Sequence, residues 1–464
     1  MKFFAGRCLS IALMVSSVMG LVLFDGAVYA IDVPVYYRAS FFQGTPASSI
    51  DDWATYLSAA YGEGRAHHSW DHKGEKVSLF SGYGFFDLGK LGFGVENMQA
   101  KTKEYWEDGV GKFANAPDLP FDFSGRATVK EFNITWRQNL FSGFFTELYV
   151  PFKNLKLDRI DLSYKGTFDQ KDNATPMAAT IDKAYIDAFI ADDLPVILSE
   201  NGIQSDFKAP FKQSGPSDAI FSFGWQGQTT KSLGIIKELR GQLQIGALLP
   251  TAVQKIPLGR LFSLPMGANG QMGFVWRAHA EAGFWKFLRL GFSGGAIMYL
   301  KQREEARVKT DRRQNGDMLL QFVSVRRDFG SKWDLCGYLQ AHNLLGGFSA
   351  LAGLSLSRQE ATRLHISDPN YLKTVIAKAA MGTPPEQRDG RFISKDEVAN
   401  TDRRLKGWEQ LTLHFLAEYD VKAYEPAAWA PKLSLGYDIS VGGKHSYLAD
   451  MLSGAIQFQF NFSF

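Results

Sequence analysis

The chain has 464 residues, with 51 basic and 48 acidic side chains for a net charge of +3, and it carries 14% aromatic residues and 45 glycines. That near balance, without a basic run interleaved with aromatics, argues against a nucleic-acid partner. The longest charge-free stretch after residue 30 runs from Leu261 to Trp276 and contains Pro265 and three glycines, so it supplies no apolar helix of about 20 residues able to cross a bilayer.

Residues 1–30 read as a secretory signal: Lys2 and Arg7 charge its start, Leu9 to Phe24 form an apolar run, and Val28, Tyr29 and Ala30 make a small-residue cleavage site. Cys8 leaves with that signal. Cys336 then stands alone, so no intramolecular disulfide is expected. Residues 31–52 read as a periplasmic or lumen-capping segment, and 53–464 as one all-β unit.

A membrane protein without spanning helices must close its sheet, because lipid satisfies no backbone hydrogen bond. Period-two segments recur at Trp53–Ala66, Ala127–Gln138, Phe144–Tyr164, Ser217–Gln226, Lys237–Leu249, Gln271–Ala282, Phe287–Leu300, Lys332–Ala341, Gly347–Ser357, Trp408–Asp420, Pro431–Gly442 and Ala455–Phe464. The pattern predicts a single antiparallel up-and-down transmembrane β-barrel of twelve strands. Fourteen is the alternative if Asp317–Val325 or part of 77–95 enters the wall. With both ends periplasmic, the links 139–143, 227–236, 283–286, 342–346 and 421–430 are short inner turns. The links 67–126, 165–216, 250–270, 301–331, 359–407 and 443–454 are then long outer loops, as barrels of this kind have.

Alternation assigns the faces. Lipid receives Phe132, Ile134 and Trp136; Phe221, Phe223 and Trp225; Leu243 and Ile245; Phe274 and Trp276; and Leu433, Leu435, Tyr437 and Ile439. The lumen receives Glu131, Arg137, Glu147, Arg240, Arg277, His279, Glu281, Arg289, Asp334, His414, Glu418 and Asp438. Each charge turned to lipid at the bilayer centre would cost ~2–4 kcal/mol. Both faces of Trp53–Ala66 are mixed, and its register stays open.

At the other end, Ile456, Phe458, Phe460, Phe462 and Phe464 share one face. That phenylalanine-terminated strand resembles the assembly signal of Gram-negative outer-membrane barrels. The resemblance implies outer-membrane lipids and the barrel-assembly machinery as partners. Gly215, Pro216, Ser217 and Asp218, a strand ending in Trp225, then Leu248 to Thr251, and Leu264 to Gly270 resemble a second group. These are outer-membrane channels for hydrophobic compounds, including fatty-acid and aromatic-hydrocarbon transporters and relatives linked to phenol degradation. Ala252 stands where that group places glycine. This second resemblance implies uptake of small, apolar solutes.

The function expected is passive passage of small solutes, with no cofactor and no catalysis. Opposed Arg and Glu/Asp rings select polar solutes in an open lumen; the alternative is a salt-bridged filling that acts structurally or presents outer loops as an adhesin or receptor. An outer-membrane phospholipase or protease is the enzyme alternative, although no pair of residues announces itself. Leu261, Phe262 and Leu264 in the loop Leu258–Met266 are either an apolar capture surface or packed on neighbouring loops. Gly291 to Gly295 spells G-x-S-x-G mid-strand, without the strand–turn–helix context of a nucleophile elbow. Gly84 to Lys90 ends on Leu91 where a phosphate loop needs Ser or Thr. His67, His68, Asp71 and His72 read as a solvated loop sooner than a metal site. Arg303 to Arg313 reads as a solvated outer loop whose cations are placed to bind lipopolysaccharide phosphates.

Overall fold

The computed structural model describes residues 53–84, 86–87, 120–164, 187–200, 204–229, 234–252, 260–268, 270–285, 287–309, 321–367, 395–421 and 429–460. The signal segment, residues 31–52, Phe462, Phe464 and most of the phosphate-loop-like run lie outside these residues.

In chain order the strands are β1 (Thr55–Trp70), β2 (Lys76–Ser78), β3 (Phe86–Asp87), β4 (Pro120–Asn139), β5 (Phe144–Tyr164), β6 (Phe211–Pro216), β7 (Ala219–Thr229), β8 (Ile236–Leu249) and β9 (Gly273–Phe284). They continue as β10 (Leu288–Tyr299), β11 (Gln302–Val308), β12 (Gln321–Asp328), β13 (Lys332–Leu345), β14 (Phe348–Gln359), β15 (Arg363–Ile366), β16 (Trp408–Asp420), β17 (Trp429–Lys444) and β18 (Ser446–Phe460). Twelve of them, β1, β4, β5, β7, β8, β9, β10, β13, β14, β16, β17 and β18, pair antiparallel in one ring closed by β1 on β4. Each coincides with one of the period-two segments. Among the described residues no helix is long and apolar enough to cross a membrane; the strands do so, and closure satisfies their backbones.

The fourteen-strand alternative is excluded. Residues 321–325 belong to β12, which forms a separate three-stranded sheet with β11 and β15 above the wall. β2 and β3 attach to the outer ends of β1 and β4, and β6 to the upper part of β5. A second correction concerns 443–454, expected as an outer loop. β17 runs to Lys444 and β18 begins at Ser446, so His445 alone turns the chain, with φ at 52°. The inner turn between β13 and β14 is equally tight. Gly346 and Gly347 both hold positive φ, 50° and 97°, the requirement of a two-residue hairpin whose twist matches its strands.

The faces explain themselves physically. At membrane height the outside is apolar: Leu243 is 60% and Ile245 67% exposed, with Phe221, Phe223, Trp225, Phe274, Trp276, Leu433, Leu435 and Tyr437 beside them. Phe141, Trp285, Phe287, Phe348 and Tyr419 mark the lower edge, an aromatic girdle of the kind that sits at a membrane interface. On one flank the belt ends at the row Tyr61, Phe132 and Phe152, which are register partners. Above it the outward side chains become Glu63, Arg65, Lys130 and Asp450, and Glu63 pairs with Arg65 at 3.2 Å and Lys130 at 3.4 Å. There the inside turns apolar instead. Phe121, Phe123, Ala127, Val129, Leu155, Leu157, Tyr447 and Ala449 form one buried cluster with Leu79, Phe80, Leu194, Leu198, Phe262 and Leu264 from the outer links. The barrel is thus inside-out within the membrane and built like a soluble protein above it.

Candidate functional site in the barrel interior

The inward side chains of the lower half meet as polar clusters along the wall. Arg137 reaches from β4 to Gln226 of β7, to Gln242 of β8 at 3.4 Å and to Asn139 at 3.3 Å. Its guanidinium lies 3.6 Å over the Phe145 ring and 3.9 Å from the Glu147 carboxylate. Gln244 donates to Glu147 at 3.0 Å. A planar cation with five donors suits such a shared site better than lysine.

A second cluster gathers charges from β8, β9 and β10. Arg240 lies 2.6 Å from Glu238 and 3.9 Å from Glu281; Arg289 lies 3.3 Å from Glu238 and 3.6 Å from Glu281. The Tyr338 hydroxyl, two strands away on β13, donates to Glu281 at 2.6 Å and stands 2.9 Å from His279 Nε2. Tyr338 fits because Gly291 on the intervening strand lacks a Cβ; one built there would overlap the phenol ring.

Glu131 accepts from Tyr149 at 3.1 Å and faces Lys153 at 4.0 Å. Glu418 accepts from Gln340 at 3.1 Å and pairs with Lys432 at 2.9 Å. Arg277 and Asp334 flank Gly295, being its register partners on β9 and β13. The three remaining polar groups form a line across β14, β16 and β17. Ser355 Oγ is 2.7 Å from His414 Nε2, and His414 Nδ1 is 2.8 Å from Asp438 Oδ1. The connectivity is that of a nucleophile, base and orienting carboxylate. All three side chains are buried, Ser355 at 2% exposure, which leaves no room beside Oγ for an acyl group.

All twelve inward positions named from the sequence are buried or half-buried, and eight share a cluster with another of the set. Glu238, Tyr338, Lys432 and Ser355 belong to the same clusters but are absent from that set. Tyr338, Lys432 and Ser355 share their strands' inward parity. Glu238 also shares the inward parity of Arg240 on β8, the register shift falling between Ile236 and Glu238.

At the outer rim the three separated pieces of the channel-like motif come together. Thr251 Oγ1 donates to the Ser217 carbonyl at 2.7 Å and accepts from the Ala219 N–H at 2.9 Å. Ser217 Oγ donates to the Met266 carbonyl, and the Asp218 carboxylate accepts from Ala268 N–H and, at 3.2 Å, from Ala252 N–H. A Cβ on Gly267 would collide with that carboxylate. The knot turns Leu261, Phe262, Leu264 and Met266 into the apolar cluster, with Leu264 at 0% exposure. These residues therefore pack on their neighbours and do not form an exposed capture surface.

Ser293 of the G-x-S-x-G run lies mid-strand on β10, as its register with His279 and Cys336 shows. Among the described residues no three His, Cys, Asp or Glu side chains converge as metal ligands; His72 stands 3.6 Å from Asp71 in an exposed turn.

No protein-family model matches the sequence, and no curated protein does. Solved structures with a similar course of chain include an outer membrane channel from Pseudomonas putida F1, at 10% identity and TM-score 0.44, over 90% of this chain and 100% of that one. A FadL homologue from Pseudomonas aeruginosa is similar at 10% identity and TM-score 0.28, over 94% and 96%. The toluene transporter TodX of Pseudomonas putida is similar at 9% identity and TM-score 0.28, over 95% and 99%.

Proposed function

We propose that the protein is an outer-membrane channel for passive passage of small solutes, apolar ones included, exported by way of its first thirty residues. One observation carries the reading: the interior charges are paired along the wall. Arg240, Arg289, Glu238 and Glu281 come from three consecutive strands, Lys432 and Glu418 from two, and the reach of Arg137 spans only from β4 to β8. Charges satisfied by their neighbours on the wall do not need a partner across the axis, so a path can open without stranding them. The apolar cluster above is closely packed, with Phe121, Phe123, Phe262 and Leu264 buried against one another, so a solute that passes this level parts apolar side chains and is received by them.

Refolded protein in planar bilayers, with liposome uptake of a polar sugar and of a monoaromatic alcohol, tests this. Conductance or flux of either solute supports the channel. Neither one, from protein shown to be folded, makes the barrel a filled one.

A further inference from the structure

We propose that a groove on the outer flank of the barrel binds the phosphate of an anionic lipid headgroup in the outer leaflet. The inference rests on the outer-membrane reading above. The groove has a volume of 640 Å³ and lies where β14, β16 and β17 leave the membrane, beneath the hinges to β12 and β15. Arg358, Arg363, Lys406 and Lys444 line it, against Asp328, Glu360 and Glu409.

Strand register fixes its height. Trp333, Arg358, Glu409 and Lys444 are successive partners across β13, β14, β16 and β17, so they form one outward row. The row two residues below is Leu335, Leu356 and Leu411, and Leu335 and Leu356 are exposed to lipid. Two residues of strand span roughly 6.6–6.8 Å, about the depth from acyl chain to phosphate. Trp333 sits at the boundary with the Arg358 guanidinium 5.8 Å from its ring, which holds that cation upright beside the groove.

The charges are arranged for capture. Glu409 is shared by Arg358 at 3.4 Å and Lys444 at 4.0 Å, and Asp328 is occupied by Lys301 at 2.7 Å. Arg363 and Lys406 are exposed and have no ion-pair partner among the described residues. A phosphate seated between them and the Arg358–Lys444 pair gains charge-assisted hydrogen bonds, while its chains lie along the leucine row. Glu409 opposes the anion and keeps the cations spread apart when the groove is empty.

The test is native mass spectrometry of the detergent-solubilised full chain with diphosphorylated lipid A, and with phosphatidylcholine, whose zwitterionic headgroup is net neutral, as the control. The Arg363→Gln/Lys406→Gln double variant breaks no ion pair among the described residues and is expected to bind lipid A at least roughly tenfold more weakly, with unchanged heat-modifiability on gels. Glu409→Gln is expected to bind more tightly, a change of opposite sign that general loss of structure does not give. Equal lipid A affinity in all three proteins overturns the proposal. So does inorganic phosphate binding as tightly as lipid A, which makes the groove a site for the free ion. Protease access to the 301–331 segment in intact cells checks the orientation separately. Inaccessible loops defeat the outer-leaflet placement, even where lipid A binds in detergent.

Discussion

Glu281→Gln is the sharpest test of the wall network. The substitution keeps the shape and an acceptor for the Tyr338 hydroxyl, now 2.6 Å from Glu281, but removes one of two carboxylates that face Arg240 and Arg289. These side chains are mostly buried, Glu281 at 6%, so solvent screens the loss only weakly. Breaking a buried pair outright costs about 3–5 kcal/mol. Glu238 still holds both guanidiniums, at 2.6 and 3.3 Å, so a loss of about 2 kcal/mol is expected, below that range because neither cation is left unpaired. The Glu238→Gln/Glu281→Gln double variant leaves two neighbouring guanidiniums without either carboxylate, and its cost should exceed the sum of the single ones by about 1 kcal/mol or more. Urea unfolding of refolded protein in lipid vesicles, followed by tryptophan fluorescence, measures all three. A Glu281→Gln barrel as stable as the parent, or strictly additive losses, would refute the shared-network account.

The Asp158 carboxylate, clasped by Arg126 at 2.7 Å through two nitrogens and by Lys156 at 2.5 Å, titrates well below the usual aspartate value because the Arg126 hydrogen bonds favour its charged form. Its contribution is therefore complete above about pH 4 and falls away as the pH drops further; amide exchange in the upper β4–β5 hairpin should accelerate in that window, and Arg126→Gln should flatten the response. Gly291→Val should displace the Tyr338 ring and cost about 1–3 kcal/mol by overpacking, with near-ultraviolet dichroism reporting the lost ring environment. Ser355 should stay unlabelled by a fluorophosphonate under folding conditions, and Ser355→Ala should leave solute flux intact; labelling that vanishes in the alanine variant transfers the protein to the hydrolases.

The strands were legible because within the membrane two different solvents meet one ribbon. Phe221, Phe223 and Trp225 must face lipid, and Arg240, Glu281 and Asp438 must not, so a period of two is imposed on every crossing. Where the outside solvent changes, the same rule misleads. Residues 446–454 looked like a loop because Tyr447, Ala449 and Met451 point inward while Asp450 points out, the reverse of the membrane pattern. The first strand was unreadable for the same reason: Leu57 and Tyr61 lie in the belt, whereas Glu63 and Arg65 occupy the same face above it. Its inward face is Ser58, Ala60, Gly62 and Gly64, small residues that carry little hydropathy either way. Within the polar clusters, alternation marks which residues share a face and leaves open which of them meet. Parity places Tyr338 and Glu281 inside, but contact between β9 and β13 requires knowing that Gly291 vacates the space between them.

The inversion of the wall also bears on how a solute would travel. Phe121, Phe123, Phe262 and Leu264 are buried against one another at the upper level, so a poorly hydrated molecule entering from outside must part them, and each apolar contact it then makes holds it back from leaving. Below that level the lining becomes Glu131, Tyr149, Arg137 and Gln244, where an apolar solute gains nothing and polar wall groups keep their own partners. The path therefore descends from a surface that binds to one that releases, the condition for passage without an energy source. Separation of the two halves matters more than the strength of either. An apolar lining throughout would trap the solute, and a polar lining throughout would never concentrate it. Phe262→Asp places a charge in the upper half and should reduce flux of a monoaromatic alcohol while sparing that of a sugar. Equal loss of both would show that the mouth acts as a size filter, and that its chemistry is incidental.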